Sequence, residues 1–65
     1  MLTEADIQRA ARVVIEKNGR NATRAAEHRI NRLSNDGYTE AAAIWRRIQR
    51  AMSVMLAKEA AVAAD

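Results

Sequence analysis

His28 is the sequence's single imidazole, and a zinc or general-base site built on it needs further ligands or an orienting partner. Glu27 directly precedes it, which is not the His-Glu-x-x-His order that sets two imidazoles on one helix face. Glu16, Glu27, Asp36 and Glu40 show no pairing that would raise one carboxyl toward neutrality. No serine has a base at nucleophile spacing. Cysteine is absent, which removes thiolate metal ligands and disulfides together. The sequence therefore predicts no enzyme activity, no catalytic or metal residue, no cofactor and no small-molecule ligand. Asn21, Ala22 and Thr23 fit the N-glycosylation sequon, but a helix cap is the expected use of Asn21.

What remains is charge. The formal net charge is +3, from 11 Lys and Arg against 8 Asp and Glu. Residues 1–19 balance, whereas Arg20, Arg24, Arg29, Arg32, Arg46, Arg47 and Arg50 stand against only Glu27, Asp36 and Glu40. Arg20, Arg24, Arg32, Arg46, Arg47 and Arg50 are the candidate nucleic-acid contacts, with Arg46 and Arg50 one helical turn apart. The alternative is an arginine-rich solvated surface. Arg29 is different: a helical wheel sets it inside the arc of Ala22, Ala26, Ile30 and Leu33. There its stem can lie on apolar neighbours and its guanidinium can stack on an aromatic face, so Arg29 and Trp45 are read as a structural clasp.

The elements that must carry these residues are helices. The 65 residues include no Pro, no Phe and two Gly, and Ala, Arg, Glu, Ile and Leu predominate. Thr3 and Asp6 have capping-box spacing, Leu2 and Ile7 that of a hydrophobic staple. Ile7, Ala10, Ala11, Val14 and Ile15 then recur at helical spacing until Asn18 and Gly19. Asn21 begins a second helix with Ala22, Ala25, Ala26, Ile30 and Leu33 on its apolar face, closed by Ser34, Asn35, Asp36 and Gly37. A third starts near Thr39, where Ala41, Trp45, Ile48, Met52, Met55, Glu59 and Val62 alternate at four and three like a heptad seam. The prediction is a single all-α domain over 1–65, a three-helix hairpin or bundle with helices at about 4–17, 22–34 and 39–62. The third helix would outreach the other two by close to two turns.

Two resemblances bear on this. Gly19, Ala22, Ala26, Arg29, Leu33, Gly37, Trp45 and Ile48 resemble a pattern in short bacterial helical proteins of unknown function: a helical hairpin, a Gly-Asp type turn, here Asp36-Gly37, and then a tryptophan. That resemblance implies the fold and no activity. Gly19, Asn21, Thr23, Ala25, Ala26, Ile30 and Arg32 are similar to the start of the helix-turn-helix in the factor-for-inversion-stimulation family. It implies a turn near Arg29 and a following helix that enters the DNA major groove.

The functional expectation is a non-enzymatic interaction or assembly module, with DNA or RNA binding as the alternative. A homodimer or a protein partner would use Met52, Met55, Leu56, Glu59 and Val62. The N-terminal residues lack the basic start and apolar run of a secretory signal, and no stretch approaches the ~18 apolar residues of a span, so the expected location is cytoplasmic, with no membrane partner.

Overall fold

The computed structural model describes residues 1–64, and its elements are all helical: α1 (Glu4–Asn18), a 3-10 turn (Gly19–Asn21), α2 (Ala22–Asn35) and α3 (Thr39–Ala64). Because α1 passes into α2 through the 3-10 turn with no intervening loop, the chain forms two uninterrupted helical runs, 4–35 and 39–64. This differs from the expectation of three separately capped helices, and the reason is local. Asn21 makes no side-chain capping bond; it lies within the turn, and the Ala22 N–H donates to the Gly19 carbonyl. Gly19 supplies the change of direction with φ 56° and ψ −128°, a region that a Cβ closes to other residues.

The other ends follow the sequence closely. The Asp6 N–H donates to Thr3 Oγ1 at 3.2 Å and the Thr3 N–H donates to Asp6 Oδ2 at 3.0 Å, so two of the unpaired donors at the start of α1 are satisfied. Hydrogen bonding from Thr3, its main chain first, holds the Asp6 carboxyl below its ordinary range, with the charge of Arg9 adding to the effect. Leu2 is exposed whereas Ile7 is buried, so the expected staple residue stays outside the core. At the far end of α2, the Tyr38 N–H donates to Leu33 O at 2.8 Å and the Gly37 N–H to Ser34 O at 3.2 Å. With Gly37 at φ 86° this is a Schellman cap, and it turns the chain back into α3.

The core is small and rich in alanine. Ile7, Ala11, Ala22, Ala26, Ile48, Ala51 and Met52 form one buried cluster, with Ile15, Ile44, Trp45, Met55 and Leu56 partly buried against it. Alanine at these contacts lets the helices approach closely, which is how so short a chain encloses anything at all. α3 packs most extensively on α2 and next on α1.

The buried face of α3 is wider than a heptad seam and shifted from the predicted one. Ala42, Ile48, Ala51 and Met52 are buried, Trp45 and Met55 are half-buried, and Glu59 and Val62 are exposed. A seam of alternating four and three suits a single partner helix, whereas α3 has two neighbours on different flanks. On one flank Gln49 Nε2 donates to Thr23 O of α2 at 3.4 Å. On the other, Arg47 pairs with Glu4 of α1 at 3.3 Å, and Ala51 lies in a groove with Glu4 and Gln8.

Candidate interaction surfaces

Three surfaces are built on this frame. The first is the outer end of α3. At ~1.5 Å per residue its 26 residues span roughly 39 Å, against about 21 Å for α2. Arg12, Ile15 and Glu16 of α1 reach as far as a groove shared with Met55, Lys58 and Glu59. From Ala57 through Ala63 every residue is exposed, Val62 at 76%. Of the expected partner-binding residues, Glu59 and Val62 therefore lie on this end, and Met55 and Leu56 at its half-buried root. Met52 is a correction: at 0% exposure it is a core side chain and offers nothing to a partner. It falls where α1 and α2 both close over α3, a contact that helical periodicity alone does not locate.

The second surface is the arginine clasp. The Arg29 guanidinium carbon lies 5.3 Å from the centre of the Trp45 ring, within cation–π range, and joins α2 to α3. Arg29 is nevertheless exposed, and Trp45 stands at the rim of the core rather than within it. The helix is unbroken across Arg29, so the turn implied there by the helix-turn-helix resemblance is absent from α2.

The third is the outward side of α2. Arg24, His28 and Arg32 follow one another at intervals of four, one turn apiece, and all three are exposed. Arg20 precedes them in the 3-10 turn, also exposed. Two ion pairs form among the described residues, Arg9 with Asp6 and Arg47 with Glu4. Arg47 is thus engaged within the fold, while Arg20, Arg24, Arg32, Arg46 and Arg50 are exposed and outside both pairs. At the C-terminal end of α2 a shallow groove is bounded by His28, Asn31, Arg32, Asn35, Asp36 and Tyr38. From sequence, Tyr38 is only a second aromatic ring, Asn31 an outward-facing residue and Asn35 part of a turn, and none is assigned to a shared surface. The signal available was the i, i+4 spacing of Arg24, His28 and Arg32 and of Asn31 and Asn35.

No helix among the described residues is long and apolar enough to cross a membrane. No family model matches the chain, and neither a curated protein nor a solved structure matches it.

Proposed function

We propose that this chain is a non-enzymatic interaction and assembly module, a small three-helix bundle that self-associates through the outer end of α3. The observation that carries this reading is the run of exposed residues from Ala57 to Ala63, where Lys58 and Glu59 are the charged side chains among alanines and Val62. A helix end facing only water gains little from such a composition, whereas a second copy would bury it and enlarge a core that 65 residues leave small. Val54, 55% exposed, extends the apolar surface toward the body of the protein. Glu59 of one copy would meet Lys58 of the other in an antiparallel pairing and help set its register. Sedimentation equilibrium at micromolar concentration tests it. The full chain should show a dimer mass that truncation after Lys58 abolishes. A monomer mass for the full chain would end this reading.

A second reading is favoured by a separate observation, the exposed arginines on α2 and α3 that lie outside both ion pairs. On that reading the module binds nucleic acid, with Arg20, Arg24, Arg32, Arg46 and Arg50 meeting phosphates and releasing counterions. Arg47 would contribute less, because Glu4 already compensates its charge.

A further inference from the structure

We infer that the groove between the C-terminal half of α2 and Tyr38 is a binding site for single-stranded nucleic acid, with a base stacked on Tyr38 and a phosphate held by Arg32. The inference rests on the nucleic-acid reading just given and assigns it a location and a substrate form.

Tyr38 is 62% exposed, whereas the other large ring, Trp45, already carries Arg29 over its face. Tyr38 is therefore the aromatic surface open to an incoming base. Its main chain is held on both sides: its N–H donates to Leu33 O, and its carbonyl accepts from the Ala42 N–H at 3.0 Å in the first turn of α3. Stacking on a ring whose backbone is already fixed costs little ordering. Along the groove, Arg32 and His28 are one turn apart and supply donors for the phosphate backbone. Asn31 and Asn35, also one turn apart, each offer a donor and an acceptor to an exposed base edge. Asp36 is the one carboxylate along the groove, and its sign works against the ligand. An unpaired base is required because a base inside a duplex has no free face to stack on a side chain.

Fluorescence anisotropy of the full chain with labelled oligothymidine and oligouridine of about twelve nucleotides, a duplex of equal length and a polyglutamate peptide tests the proposal. At low salt the single strands should bind more tightly than the duplex and the peptide. Tyr38→Ala should weaken single-strand binding about tenfold, while Tyr38→Phe, which keeps the ring, should leave it nearly unchanged. Arg32→Gln should weaken binding and reduce the slope of log affinity against log salt by about 0.7. Asp36→Asn should strengthen it. If single-strand binding survives Tyr38→Ala and Arg32→Gln but is lost on replacing Arg46 and Arg50 together by Gln, the groove is not the site, although nucleic-acid binding stands. Failure of every nucleic acid to bind at low salt, or binding to polyglutamate alone, overturns both.

Discussion

Residues 42–52 and 57–63 of α3 have the same helical geometry and both carry alanine, yet the first stretch contributes four buried residues and the second none. Ala42 and Ala51 are buried, whereas Ala57, Ala60 and Ala61 are exposed. Nothing in the residue itself distinguishes them. The difference lies in what stands opposite: α2 and α1 flank the first stretch, and α1 reaches only as far as the turn holding Lys58 and Glu59. An apolar helix position thus becomes core only where a neighbour arrives, and in the absence of one it is free for a second chain.

Removing volume from each stretch tests the difference directly. Met52→Ala empties a fully buried site and should destabilise the fold by about 2–5 kcal/mol, a large share of what so small a domain possesses. Val62→Ala in the monomeric state should cost under about 0.5 kcal/mol. Urea denaturation followed by far-UV circular dichroism reads both, and equal losses would mean that the outer end is packed after all. At the rim of the core, Trp45→Ala should cost about 2 kcal/mol, less than a fully enclosed tryptophan because one edge already meets solvent. Arg29→Gln should cost about 0.5–1 kcal/mol and alter the emission of the single tryptophan. A double-mutant cycle showing no coupling between the two positions would remove the clasp.

A separate effect, at the start of α1, depends on pH. Its folded-state pKa being lowered, Asp6 contributes stability that is fully present above the ordinary value of 3.8 and is lost as pH falls through the folded value. Thr3→Ala should cost about 1 kcal/mol near neutral pH, and the difference from the parent should shrink as Asp6 protonates. A gap that stays constant down to the acid transition would show that the Thr3 hydroxyl contributes nothing through Asp6.

The local features of the fold were legible because they depend on residues close in sequence. Thr3 with Asp6, the Gly19 stop and the Asp36-Gly37 turn each act within a few positions, and the observed helices end within two residues of their predicted ends. The site was less legible because its decisive contacts are distant in sequence. Glu4 reaches Arg47 across 43 positions and takes up a charge that composition assigns to a ligand. Periodicity puts Met52 on a seam that serves equally for core or for a partner, and it is core because it joins one buried cluster with Ile7 and Ala11 of α1 and Ala22 and Ala26 of α2. A tyrosine in a turn has no periodic pattern that assigns it a surface; Tyr38 shares a groove with Arg32 because the Schellman cap turns the chain there.

Gly19 also decides whether α1 folds back onto its own α3. Space around it is open, with nothing within 4 Å of an added Cβ, so a larger residue there would meet no obstacle except its own main chain. Denied that conformation, residues 4–35 would extend as one rod of roughly 48 Å. The apolar face of Ile7 and Ala11 would then be carried away from its own α3 and toward a neighbour's. The bend keeps Ile7 and Ala11 on their own α3, and Gly19→Ala is expected to favour exchange of α1 between molecules, read as a larger mass by sedimentation equilibrium.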